Sequence, residues 1–365
     1  MADSKPIVLR AVLDSGAPHG LTVYTTVVVV HGLMWQGANF KKLLPLATQQ
    51  RTRFIAVNRR DYPGSTPYTP DERAQFERLA ASSPNDAGAQ AEAVEVMRDR
   101  ARELYDYLVD LIQSEDIPLS RTEGEDARGG IILVGWSFGS VWATAFLAHA
   151  PSFHSDIHLS KWVRRVVFYD SSAGFLGQAV PPGMYLPFVD QSMPPAERTH
   201  AFHMWATKYF GHGEPIAIET LETRDGLEQP GSTLKRISEK EFAESTCDDP
   251  GRLPHGSDAL ILRLCTVHGL FTQLKDGSLY LRPGKADEPM NDWQDVDVRI
   301  LWCDHSIWTM PWGARNVAEE LNAAKAAGKA TQKISSIRLR GANHFAHWDF
   351  PEKTLRAFLG DEEEL

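Results

Sequence analysis

The sequence predicts an α/β protein: a mostly parallel central sheet with helices on both faces and a largely helical insertion. Three observations carry this. β-branched runs alternate with helical stretches along most of the chain. The runs are continuously apolar, as strands buried on both faces are. The alternation then stops between Asp170 and about Val296, a gap too long for a plain loop.

"YTTVVVVHG" reads as the first buried strand. "NFKKLLPLATQQ" follows as a helix interrupted near Pro45, and "RFIAVNRRDYPGS" as a second strand leaving into a Pro-Gly turn. Residues 80 to 90 and 121 to 130 read as exposed loops. Between them, 88 to 114 form an amphipathic helix, with Val94, Met97, Ala101, Leu104, Leu108 and Leu111 at helical spacing. "GGIILVG" is a third strand, running into the helix "SVWATAFLAHA". "VRRVVFYD", "VDVRILWCD" and "ISSIRLRG" are the fourth to sixth strands, and "DFPEKTLRAFL" is a final helix with Pro near its start. The expected division is a core in two parts, 1–172 and 296–365, around a cap or lid insertion at 173–295.

The chain has 365 residues, is 42% hydrophobic and carries a net charge of −10. The acidic balance excludes a nucleic-acid footprint, which needs clustered Lys and Arg; the doublets of one basic residue are Lys41-Lys42, Arg59-Arg60 and Arg164-Arg165. Three separated cysteines read as reduced thiols. The first residues lack the apolar core of a secretory leader, and no apolar run reaches a membrane span. "DEEEL" reads as a solvated acidic tail, not a retention signal. A cytoplasmic location is the expectation. The sequence is silent on oligomeric state.

The chemistry centres on "GWSFG", Gly135 to Gly139, between a strand and a helix. A nucleophilic serine must stand proud of the backbone on a strained turn, and the flanking residues must be small for strand and helix to approach. Ser137 meets both conditions, and the helix N-terminus behind it favours negative charge. "VVVVHGLMWQG" ends a buried strand in His31-Gly32. The Leu33 amide can then pair with the amide of Phe138 as an oxyanion hole. His31 reads as a loop-shaping residue, not a base. "GANHFAHWDFPE" places His344 on a loop after a strand, as general base; His347 reads as its support.

On "HGLMWQGANF", "NRRDYPGSTPY", "GWSFGS" and "GANHFAHWDFPE", the chain resembles the α/β-hydrolase superfamily, from about residue 27 to 359 with the insertion unmatched. The resemblance implies a catalytic triad in the order serine, acid, histidine, with Ser137 as nucleophile. It sets aside the haloalkane dehalogenases and epoxide hydrolases of this fold, which carry aspartate at that position. The acid commonly lies on the loop after the fifth strand, where Ser306 occupies the expected slot of "WCDHSIWTMPWG" and Asp304 stands two residues early. Other members carry it one strand earlier, here Asp170. Asp170 is favoured, with Asp304 as the alternative.

"HAFH" puts His200 and His203 one helical turn apart, a metal-like spacing without a third ligand, so it reads as a polar helix face. Six of the ten tryptophans fall near the motifs. Trp35, Trp136, Phe175 and Trp308 are the expected lining of an apolar pocket. The expected activity is that of a serine esterase acting on a small hydrophobic acyl or aromatic substrate through an ester, thioester or lactone, with no cofactor. The alternatives are a ligand-binding protein on a hydrolase scaffold and an acyltransferase.

Overall fold

The structure is a computed structural model and describes residues 8–120, 129–281 and 292–360. The first seven residues, the acidic tail and most of the 121–130 loop lie outside the described residues, and with them the readings made there. Among the described residues there are seven strands: β1 (Arg10–Asp14), β2 (Thr25–Val30), β3 (Thr52–Asn58), β4 (Ile131–Trp136), β5 (Val163–Tyr169), β6 (Asp297–Cys303) and β7 (Lys333–Leu339). They form one sheet in the order β1-β3-β2-β4-β5-β6-β7. All neighbours pair in parallel except β1, which runs antiparallel to β3.

The helices are α1 (Leu44–Gln49), α2 (Pro70–Ala81), α3 (Ala87–Ser114), α4 (Gly139–His149), α5 (Pro195–Ala206), α6 (Glu239–Ser245), α7 (Ser257–Val267), α8 (Leu270–Leu279), α9 (Thr309–Ala326), α10 (Ala346–Asp349) and α11 (Pro351–Leu359). Two cores flank the sheet. One holds Val28, Ile55 and Leu133 with the apolar face of α3, its Val96, Met97, Ala101, Leu104 and Leu108. The other holds Val27, Phe54 and Ile132 against Leu355 and Phe358 of α11. Alternate residues of each strand thus serve opposite cores, which is why the strands read as unbroken apolar runs.

The six parallel strands lie where the sequence places them. The N-terminal strand β1 was not foreseen: it is a short edge strand with a half-buried pattern and a register irregularity at Ala11 to Leu13. Edge strands lack the continuous apolar run that marks a central one. The helix expected around Pro45 divides into a 3-10 turn over Gly37–Leu43 and α1, with Pro45 in the first turn of α1, where it lacks only an orphan N–H. α2 occupies part of the stretch expected as a loop. Thr69 caps it in a reciprocal capping box with Glu72, so the turn that remains is Ser82 to Asp86.

Between 173 and 295 the described chain adds no strand to the sheet; α5 to α8 and short 3-10 turns fill it. α7 packs on α2 and α8 on α4. Leu260, Ile261, Leu264 and Leu274 join the first core, while Ala206 and Ile237 join the second. This segment therefore grips both faces of the sheet around its C-terminal edge. No helix among the described residues is long and apolar enough to cross a membrane.

Candidate active site

The pairing register brings the ends of β2, β4, β5 and β6 to one edge: Val30 faces Gly135, Trp136 faces Tyr169, and Tyr169 faces Leu301. The groups just beyond these ends, from His31, Ser137, Asp170 and Asp304, share that edge.

Ser137 sits between β4 and α4 with a φ of 53°. Such a conformation is costly for a residue with a side chain and persists only where the surroundings impose it. Here its N–H donates to Tyr169 O at 2.9 Å, and its carbonyl accepts from Ser140 N at 3.0 Å. The flanking glycines are required by close approach. A Cβ on Gly135 would lie 2.5 Å from Gly139 O, and one on Gly139 would lie 2.6 Å from His31 O. Gly32 brings the His31 loop against the serine, since a Cβ there would lie 3.0 Å from Ser137 Cβ. The serine is 8% exposed.

Asp170 follows β5 and also has a positive φ, 47°. Its N–H is held by Leu301 O at 2.6 Å. The turn aims the fully buried carboxylate across the end of β6. Oδ1 accepts from Cys303 N at 2.9 Å, and Oδ2 accepts from Ser306 Oγ at 2.6 Å. His344 Nδ1 lies 2.6 Å from the same Oδ2. With the Nδ1 proton donated to the carboxylate, Nε2 of His344 is left as the basic nitrogen. Trp136 stacks on the imidazole at 4.8 Å between centroids, and its Nε1 donates to His344 O at 3.1 Å. The residue before the serine thus holds the histidine, and the serine's own N–H holds the residue before the aspartate.

Asp304 points elsewhere. It accepts from Gly341 N at 2.7 Å and from Arg338 Nε at 3.1 Å. Those bonds shape the turn that leads to His344, and Asn343 pins the same loop through Thr207 O at 2.9 Å. His347 is fully buried between Asn39, at 2.7 Å, and the Tyr169 hydroxyl, at 3.2 Å. Burial holds its pKa well below the ordinary histidine value, with His344 and Lys42 adding to the effect.

The amides of Leu33 and Phe138 belong to the loop after β2 and the residue after Ser137. His31 Nε2 accepts from Arg59 N at 3.0 Å, so its proton resides on Nδ1, 2.9 Å from Gly32 O. Burial, and then the Arg59 charge, keep His31 neutral, its pKa well below the ordinary value. The Met34 amide is taken by the Tyr62 hydroxyl at 3.0 Å.

Of the four aromatic residues expected around the substrate, Trp35 and Trp136 both pack on Phe345. Trp35 packs edge-on against Phe345 at 4.7 Å and His203 at 5.3 Å. Phe175 lies over Phe138 at 5.1 Å. Trp308 is buried and donates from Nε1 to Tyr185 O at 2.8 Å. Trp136 is occupied as the support of His344. His203 is buried and bonded to Asp248 at 2.8 Å, while His200 of the same helix is exposed. Both line a cavity of about 510 Å³ with Phe242 and Asp248, and Trp35 stands between its His203 and Phe345. Sequence reasoning missed Arg59, Tyr62 and Asp258, which sit behind the His31 loop. The only signal was the basic doublet Arg59-Arg60 at a strand end.

Among solved structures, the fold is similar to bromoperoxidase from Bacillus anthracis, at 13% identity over 96% of this chain and 94% of that one, TM-score 0.48. It is also similar to a structure from a study of carboxylesterases of Nitrososphaera gargenis, at 14% identity, 98% and 96% coverage and TM-score 0.49. Potato epoxide hydrolase I follows at 11% identity, 92% and 91% coverage and TM-score 0.49. No curated protein matches the chain at a significant level. The family model described as "Alpha/beta hydrolase family" matches residues 27–357. With nearly its whole length inside that match, the chain belongs to the alpha/beta hydrolase family.

Proposed function

We propose that the protein is a serine hydrolase that cleaves an ester-like bond (carboxylic ester, thioester or lactone) of a small hydrophobic substrate. Ser137 is the nucleophile, His344 the general base, and Asp170 the acid that orients it. The observation that carries this reading is the 2.6 Å contact between His344 Nδ1 and Asp170 Oδ2, at the sheet edge where Ser137 stands on a positive-φ turn.

In this mechanism Nε2 of His344 takes the Ser137 proton as the oxygen attacks the carbonyl. The buried Asp170 carboxylate stabilises the imidazolium that forms. The developing oxyanion is held by the amides of Leu33 and Phe138, at the N-terminus of α4, where the helix dipole adds to the stabilisation. The leaving group departs with the proton from His344. Water then attacks the acyl-serine, again with His344 as base. Protein groups complete this chemistry without a cofactor. The segment 173–295 serves as the cap over the serine, which its burial supports, between the two parts of the core, 1–172 and 296–365. Phe175 of this segment and Trp35 of the loop after β2 are the apolar neighbours of the substrate.

The test is labelling by a fluorophosphonate together with p-nitrophenyl butyrate hydrolysis. The folded wild-type protein should label and turn over, and Ser137→Ala should do neither. Folded wild-type protein that does not label is a ligand-binding protein on this scaffold, and the hydrolase reading falls.

A further inference from the structure

Behind the His31 loop lies a buried ion pair that the triad does not use. Arg59, at the end of β3, is 1% exposed, and so is Asp258 in the first turn of α7. Two bonds join them: Nη1 to Oδ1 at 2.5 Å and Nη2 to Oδ2 at 2.7 Å. The Tyr62 hydroxyl donates to the same Oδ2 at 2.7 Å. Burial works against the Arg59 charge, but Asp258, with Tyr62 and Tyr68 adding, more than offsets it and the guanidinium stays ionised. The aromatic faces of Trp142, at 4.2 Å, and Phe138, at 5.3 Å, line the rest of the site.

The guanidinium also reaches the loop. Nη2 donates to Gly32 O at 2.9 Å, and Nε to His31 O at 3.3 Å. Gly32 O accepts a second bond, from His31 Nδ1 at 2.9 Å. In a trans peptide the carbonyl and the following N–H point in opposite directions. A Gly32 carbonyl held by Arg59 therefore turns the Leu33 N–H away from Arg59, on a peptide that abuts Ser137. The two donors, one of them cationic, polarise that peptide and strengthen its N–H as a donor. Met34 N–H is already occupied by Tyr62, so it does not compete with Leu33 as the loop's donor.

We infer that Arg59 is a positioning residue for the oxyanion-binding peptide Gly32–Leu33, and that Asp258 of the inserted segment holds it there. This rests on the serine hydrolase reading above. Arg59 does not touch the substrate. Its effect is on the stabilisation of the transition state, so it belongs in kcat and not in KM.

The experiment compares Arg59→Met/Asp258→Leu, which removes both charges at once, with Arg59→Gln/Asp258→Asn, which keeps size and polarity, and with Arg59→Lys. Active sites are counted by fluorophosphonate labelling, and an alkyl trifluoromethyl ketone reports oxyanion binding. In the Met/Leu variant, kcat for p-nitrophenyl butyrate per labelled site should fall about 10- to 100-fold, short of the loss from deleting an oxyanion donor outright. KM should stay within about twofold, and the ketone should weaken in proportion to kcat/KM. The Gln/Asn variant should lose about tenfold, and Arg59→Lys should recover most of the loss because it returns a cation to Gly32 O. A purely structural pair would lower the labelled fraction and leave kcat per labelled site and ketone affinity unchanged; that result in either double variant overturns the inference. A wild-type protein that does not label overturns the hydrolase reading itself, and this one with it.

Discussion

The Ser306 hydroxyl lies 2.6 Å from Asp170 Oδ2, on the same oxygen that faces His344. Ser306 comes from the loop after β6 and Asp170 from the end of β5, so a residue in the commoner acid slot serves the carboxylate from the neighbouring strand. With the amide of Cys303 on Oδ1, the carboxylate is fixed in rotation. Ser306→Ala removes one of three donors and leaves the histidine contact in place. We expect kcat/KM to fall about ten- to a hundredfold, the scale of one hydrogen bond to a charged group. Steady-state kinetics on p-nitrophenyl butyrate check this, and no change would mean that Ser306 is dispensable to the acid.

Asp170→Asn and Asp304→Asn should separate widely. The amide introduced by Asp170→Asn keeps the shape of the carboxylate but presents the wrong partner to His344 Nδ1, and turnover should drop on the order of 10³- to 10⁴-fold. Asp304 is bound to Arg338 and Gly341 N instead, so Asp304→Asn should stay within about tenfold of wild type while lowering Tm. Equal losses in the two variants would defeat the assignment of the acid.

Gly139→Ala tests the approach of β2 and α4. The added methyl would lie 2.6 Å from His31 O, where backbone must give way. Overpacking of this kind costs about 1 to 3 kcal/mol, and it displaces the serine's turn, so activity should fall with stability. Gly231→Ala is the control, because its Cβ meets only Lys235 Cδ at 3.7 Å and Glu228 O at 4.0 Å. Matching melting curves for the two variants would contradict this account.

Stability should decline as pH falls below about 6.5. His31 and His347 are both buried, with pKa values well below the ordinary 6.5 because of burial first, then Arg59 for one and His344 for the other. Below that pH the unfolded chain takes up protons that the folded chain refuses, so stability is full above it and is lost on acidification. Each residue contributes a slope of about 1.4 kcal/mol per pH unit in that window. Thermal melts from pH 7.5 to 5.5 measure it. His347→Gln should flatten the decline by about half, and an unchanged slope would mean that His347 is already charged in the fold.

The parallel sheet and the strand-turn-helix around Ser137 were legible in the sequence because both are local. A strand buried on both faces must be a continuous β-branched run, and a serine between two glycines at its end marks a turn that close approach demands. Even the edge strand β1 escaped only because half-burial leaves a weak pattern. Which carboxylate meets His344 was not local information. Asp170 and Asp304 each follow a strand and both reach the same sheet edge. What separates them is the positive φ that aims Asp170 across β6, and the Arg338 and Gly341 groups that hold Asp304 away. Arg59 was further out of reach, because its partner Asp258 is 199 residues along the chain. A sequence can state which groups stand at the end of a strand. Which way a buried carboxylate or guanidinium turns is decided by the partners that desolvation forces it to find, and those are set only when distant segments pack together.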